Sequence, residues 1–357
     1  MSNRSLVILG ALAAGMVVWA ILQTYFAGRV STVAEMTYLL QGLDPGKINS
    51  ITLGAGEKTI SLKRQDEGFV VASKDGYPAV VGEINKLINA CLDVRVQECV
   101  TSTPDSHDKL GVTEEKAEAI VKFLDAGGNP ITGIIVGKAL PAGGGSYVRA
   151  LGSDDVYVCK DLPYFRDRAI DYMDDKLLQV AQGEAESITM AGPKGPFLLK
   201  FQAEPPNVVL DKAPAGKKLK QAEAEYIASR LESLRFNDVM KRSGAKASKL
   251  KFDRKVICRL KDGMLYTLEL AKEGEDYYLA CTAATGDKKA SSTQQAADSA
   301  AAVEKRAKAF AKRHAGWVYR IDDYVAEDLV KDLSDLLEDE KPATMPASEQ
   351  PAAKPAE

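Results

Sequence analysis

The chain holds two histidines among 357 residues, and any acid–base or metal chemistry has to start from them. His107 sits in "TSTPDSHDKLG" with Asp105 and Asp108, three residue types that could ligate a metal. The same pattern describes a turn whose acids flank a solvated loop histidine, and that is the expectation. His314 ends "KRAKAFAKRH", where a cation suits the negative end of a helix. Two histidines in unrelated contexts exclude a three-histidine zinc site. No Gly-x-Ser-x-Gly elbow supports a Ser-His-Asp triad. Asp174 and Asp175 are adjacent on an expected helix and point in different directions, whereas general acid–base work needs convergent groups. "LGAGEKT" at 53–59 lacks the spacing of a phosphate loop and lies between two strand-like runs, so it reads as a hairpin turn. "PAGGGSYV" at 141–148 reads as a strand connection. Five cysteines include no Cys-x-x-Cys pair. Cys159, Cys258 and Cys281 fall in apolar strand-like runs as small hydrophobes, while Cys91 and Cys99 could pair in an oxidising compartment. No catalytic, cofactor-binding or metal-ligating residue is expected, and no cofactor.

The termini differ from the rest. "LVILGALAAGMVVWAILQTYF", Leu6 to Phe26, carries no charge. At roughly 1.5 Å per residue it spans the roughly 30 Å core of a bilayer. A signal peptide has a shorter apolar run and a small-residue cleavage site, so an uncleaved anchor over residues 1–30 is expected. Gly10 with Ala14, and Ala11 with Gly15, are small residues four apart, a face that lets a partner helix approach. Arg4 before the stretch gives a slight bias to a cytoplasmic N-terminus, hence a single-pass membrane protein with its C-terminal part on the non-cytoplasmic side. The net charge of −3 gives no nucleic-acid footprint. The tail 339–357, rich in Pro, Ala and Glu, has no means of building a core and reads as disordered.

The positioning elements come from a repeat. "VYVCKDLPYFRDRAIDYMDDKLL" returns as "VYRIDDYVAEDLVKDLSDLLED". "KINSITL" at 47–53 returns as "EAESITM" at 184–190, each followed by a turn and a second strand-like run. Ile84, Leu87, Ile88, Cys91 and Leu92 share one helix face, as do Ile227, Leu231 and Leu234. Hairpin runs follow, with Gly-Gly-Asn-Pro, Asp-Gly and Glu-Gly turns. Each half then closes on a Val-Tyr strand and a Leu-rich helix. The fold class expected is α+β: a transmembrane helix, a linker over 31–46, a first repeat over 47–182 and a second over 183–338. The second carries a polar loop and surface helix inserted at about 284–315.

"DPGKINSITL", "DKLGVTEEKAEAIVKFLDAGGNPITGIIVGK", "SYVRALGSDDVYVCKDL" and "WVYRIDDY" resemble a bacterial membrane-anchored family of unknown function. That family is associated with auxiliary components of gliding-motility-type ABC transporters. The resemblance covers about residues 40–337, and "HDKLG" from His107 replaces the family's aromatic turn. It implies a non-enzymatic accessory or scaffolding subunit of a cell-envelope complex, whose partners are other envelope proteins and, through Leu6 to Phe26, the bilayer. The rivals are a periplasmic polymer- or ligand-binding protein, signalled by an exposed aromatic groove around Trp317, Tyr277 or Tyr278, and an anchored periplasmic enzyme, signalled by acids gathered around His107. Trp317 is expected to pack under the final helix, against Leu329 or Leu333, or else to anchor a partner.

Overall fold

The computed structural model describes residues 37–54, 59–66, 68–203, 206–286 and 294–340. It divides into two compact units, Met1–Met173 and Asp174–Glu357.

The first unit is built on a nine-stranded antiparallel sheet. Its spatial order is Tyr77–Pro78, Gly68–Val71, Ile60–Gln65, Ser50–Leu53, Ala119–Leu124, Pro130–Ala139, Ser146–Ala150, Val156–Cys159 and Cys99–Thr101. Period-2 alternation sets the register: Ile51 and Leu53 are buried, and Ser50 and Thr52 less so, which places one face on the core. The helix Val81–Leu92 turns Ile84, Leu87, Ile88 and Cys91 inward. The short helix His107–Leu110 packs so closely that a Cβ on Gly137 would lie 2.4 Å from the Leu110 carbonyl oxygen. Glycine there is a requirement of backbone approach.

The second unit has an eight-stranded antiparallel sheet, ordered Pro206–Leu210, Gly195–Ala203, Ala185–Gly192, Phe252–Leu260, Met264–Glu273, Asp276–Thr285, Trp317–Ile321 and Asp238–Lys241. This is the order of the first sheet without its Tyr77–Pro78 strand. The helix Gln221–Glu232 occupies the chain position that Val81–Leu92 occupies in the first unit, and it buries Ala224, Ile227 and Leu231.

Strand accounts for 42% and helix for 25% of the structure, so the fold is mostly β and the α+β expectation is corrected. The reason lies in the segments expected to be closing helices. After Val156–Cys159 the chain makes only a 3-10 turn, Ala169–Tyr172, and then enters the strand Lys176–Leu178. The final segment is a seven-residue helix, Asp323–Leu329, a 3-10 turn, Leu333–Leu336, and the strand Leu337–Asp339. The two Leu-Leu pairs are therefore not equivalent, since Leu177–Leu178 opens the second unit whereas Leu336–Leu337 closes it. That last strand pairs with Lys217–Leu219, which corrects the expected start of the tail at 339. Within the expected linker, Thr37–Tyr38 pairs with Arg95–Val96.

No described helix is long and apolar enough to cross a membrane. Gln294–His314 has the length, at 21 residues, but carries six charges from Glu304 to Arg313. The stretch Leu6 to Phe26, with Gly10, Ala11, Ala14 and Gly15, lies outside the described residues. The inserted helix is more than a surface addition. Val303 and Ala307 are buried, Phe310 meets Tyr266 at 5.0 Å between ring centroids, and Arg306 pairs with Asp262 at 3.0 Å.

Candidate binding groove

The shared strand order allows the two units to be compared position by position. Val80 N–H donates to the Tyr172 carbonyl at 2.8 Å, and Lys220 N–H to the Leu336 carbonyl at 2.8 Å. The helices 81–92 and 221–232 thus start from matching points. Ile88 corresponds to Ala228, and Leu92 to Glu232. In the sheets, the pairs Leu62–Val71 and Leu199–Leu210 correspond, so Arg64 matches Phe201 and Phe69 matches Val208.

These four exchanges change one corner of the fold. In the first unit Arg64 is a staple. Its Nε donates to the Ile48 carbonyl at 2.9 Å and its Nη2 to the Pro45 carbonyl at 3.2 Å, and its guanidinium lies 4.8 Å from the Phe69 ring centroid. Phe69 is buried beneath it, and Ile88 is buried on the helix Val81–Leu92. In the second unit the matching residues are smaller or cannot donate, and the corner is an open groove of about 570 Å³. Ile188, Val208 and Leu231 form its buried floor, with Phe201 and Ala228 on the walls. Its rim carries the neutral amides of Gln182, Gln202 and Asn207, and the Ser229 hydroxyl. Glu225, Glu232 and Lys261 complete the lining. Among the described residues none of these three charges has an ion-pair partner. A cleft of this volume, apolar at its floor and carrying both neutral and charged polar groups at its rim, has the character of a binding site.

The groove's helix is fixed from behind by the C-terminal segment. Asp328, nearly buried, receives Arg230 Nε at 2.8 Å and Lys331 Nζ at 2.7 Å, and Lys331 also pairs with Glu223. Burial alone would raise the Asp328 carboxyl, but the hydrogen bonds from Lys331 and Arg230 outweigh it and hold it below its usual range. Asp332 receives Arg254 at 2.8 Å and Lys194 at 2.9 Å, which lower its carboxyl likewise.

The residues singled out from sequence lie elsewhere. His107 is buried, not solvated, and its Nε2 lies 2.9 Å from the Asp154 carbonyl oxygen. Asp108 pairs with Lys116 at 2.7 Å, so the trio with Asp105 does not converge, and no metal-ligating group of three occurs among the described residues. His314 is buried as well, with Nδ1 2.7 Å from Tyr319 Oη. Burial, aided by the neighbouring Arg313, lowers its pKa to about 4, so at neutral pH it is the uncharged partner of Tyr319 and not a capping cation. Asp174 pairs with Arg313 and Asp175 with Arg235, outside any helix. Tyr277 and Tyr278 are core residues; Tyr278 packs with Ala247, Ala271, Ala280 and Val318. In the closing strand Val318 and Tyr319 are fully buried on opposite faces, while Trp317 is partly exposed across from Lys241. All five cysteines are free. Burial pushes Cys91, Cys258 and Cys281 up to about 12, and only Cys99 is exposed.

Of the groove residues, sequence analysis named only Leu231, and that as part of a helix's apolar face and not as a site. The available signal was the narrower apolar stripe of the second helix, where Ala228 and Glu232 replace Ile88 and Leu92. A family model described as "Domain of unknown function (DUF4340)" matches residues 70–255, running from the first unit into the second. No curated protein and no solved structure matches the chain.

Proposed function

Starting from a chain that belongs to the DUF4340 family, matched over more than half its length, we propose that the protein is a non-enzymatic accessory or scaffolding subunit of a cell-envelope complex. The groove of the second unit is where it holds a partner. The observation that carries this is the internal comparison: one fold occurs twice, and the corner closed by Arg64 and Ile88 in one unit is an open apolar cleft in the other. A structural role alone gives no reason to remove packing from one unit. The finer assignment, to an ABC transporter of gliding-associated type on the periplasmic side of the inner membrane, is supported by the motif resemblance over residues 40–337 and the uncharged stretch 6–26. A small ligand is the second reading, favoured by the groove's volume, which falls in the range of ligand pockets.

The test uses the full chain in its native membrane. A photo-cross-linking residue at the exposed rim position Ser229 is expected to capture a specific envelope protein. The filling substitutions Ala228→Ile and Val208→Phe, which copy the first unit, are expected to abolish capture while leaving the fold intact. Unchanged capture in the filled variants, or capture of no protein at all, removes the groove as a partner site.

A further inference from the structure

We propose that the partner enters as an extended peptide that adds a strand to the Pro206–Leu210 edge, and that the Gln221 side chain holds that place until it arrives. This rests on the groove reading. In the first unit the matching edge strand, Gly68–Val71, is followed in the sheet by Tyr77–Pro78, with Val71 opposite Tyr77 and Val70 opposite Pro78. Just beyond, Ala79 N–H donates to the Phe69 carbonyl at 2.8 Å. Among the described residues, the sheet of the second unit ends at Pro206–Leu210. The chain that would supply the further strand, Lys217–Leu219, pairs instead with Leu337–Asp339.

Val208, the counterpart of Phe69, is nonetheless satisfied. Gln221 Nε2 donates to the Val208 carbonyl at 2.7 Å, and Val208 N–H donates to Gln221 Oε1 at 3.3 Å. One carboxamide thus occupies both main-chain groups, as a peptide unit of a neighbouring strand would, and its nitrogen takes the role that the Ala79 amide plays in the first unit. The first unit has valine, Val81, at the matching helix position and needs no such stand-in, because it has the strand. Since Asp211 N–H is turned inward to the Leu198 carbonyl, strand alternation turns the main-chain groups of both Val208 and Leu210 outward. Two consecutive docking positions therefore face the same way.

The occupant's chemistry follows from what borders this edge. Val208 is at once the edge residue and part of the groove floor, so a strand laid here can drop a side chain into an apolar space beside Phe201 and Ala228. Glu225, Glu232 and Lys261 line the groove without ion-pair partners among the described residues, two acids against one base. An extended segment with apolar residues on one face and a basic residue at its end satisfies both. Main-chain pairing supplies the affinity in such strand addition, and the pocket supplies the choice of sequence.

A short synthetic peptide alternating Val and Thr, with Lys at each end, is the probe, and fluorescence anisotropy against the full chain is the measurement. Binding is expected to tighten about tenfold in Gln221→Ala, which removes the competing carboxamide. It is expected to be lost when alternate peptide nitrogens facing the edge are methylated, and to weaken when the Lys ends are replaced by Glu. In hydrogen exchange, the Leu210 amide is expected to gain protection when peptide is added. Binding that survives N-methylation yet disappears in Ala228→Ile overturns strand addition while leaving the groove reading standing. No binding to either the natural chain or Gln221→Ala overturns the proposal, as does self-association of Gln221→Ala in place of peptide binding.

Discussion

At the scale of single residues, the most informative group is His314. Its Nδ1 contacts Tyr319 Oη, its ring lies 4.4 Å from that of Phe310, and burial keeps it neutral with a pKa of about 4. In the unfolded chain the imidazole titrates near 6.5. Above about pH 6.5 both states are uncharged and the histidine costs nothing. Between about 6.5 and 4 the unfolded state takes up a proton that the folded state refuses, so stability falls as pH drops through that window. The full difference is about 3 kcal/mol. Denaturant unfolding of the natural chain and of His314→Gln across this range is expected to give converging stabilities, with the natural chain losing more on acidification. Parallel curves would show that His314 is solvated or already charged in the folded state. The sequence showed a histidine ending a basic helix, and nothing local distinguishes a solvated cation from a buried base. The distinction depends on Tyr319, from the strand Trp317–Ile321, and on Phe236, from the connection after Leu234–Arg235, whose rings lie tilted together with centroids 4.9 Å apart.

At the scale of elements, the helix Gln221–Glu232 is held by charges as well as by the burial of Ala224, Ile227 and Leu231. Its stripe is narrow, and its outer side is tied to the C-terminal segment through Arg230, Asp328, Lys331 and Glu223. Asp328→Ala leaves two cations facing each other at a half-buried site, an expected loss of about 1–3 kcal/mol. Because the carboxyls of Asp328 and Asp332 are both held low, this support is complete above the ordinary Asp range and is lost as pH falls below it. A chemical-unfolding midpoint for Asp328→Ala equal to that of the natural chain would show that the network is ornamental. Both helices and most strands were legible from period alone, since Ile84, Leu87 and Ile88 on one element and the alternation of "SITL" on another each depend on neighbours in sequence. The segment 165–182 was not. A charged run ending in Leu-Leu fits a helix face as well as two consecutive strand positions that are both buried, as Leu177 and Leu178 are, and tertiary pairing with Leu234–Arg235 decided for the strand. The groove was illegible for a further reason: it is a deficit of volume, created jointly by Phe201, Val208 and Ala228, and no single residue announces it.

At the scale of the whole molecule, each unit is completed by its own last residues. Met173 bridges to Ala79 in the first. In the second, Leu337–Asp339 pairs with Lys217–Leu219, and Glu340 N–H reaches the Gly216 carbonyl at 3.0 Å. A chain ended after Glu340 is therefore expected to retain the cooperative unfolding of the second unit. A chain ended after Val330 loses Asp332, Leu336 and the closing strand together and is expected to lose that transition, read by circular dichroism during heating. Equal transitions in the two truncations would place the closing strand outside the cooperative core.

The cysteine inventory has a practical consequence at this largest scale. Four thiols are sealed in the two cores, and Cys99 lies exposed on the outermost strand of the first sheet. The natural protein thus carries a single addressable chemical handle. A maleimide dye that does not cross membranes, added to intact and to opened cells, reports on which side of the bilayer the first unit resides without any fusion or substitution. A spin label or fluorophore placed on the same sulfur would follow the molecule through assembly from one known point.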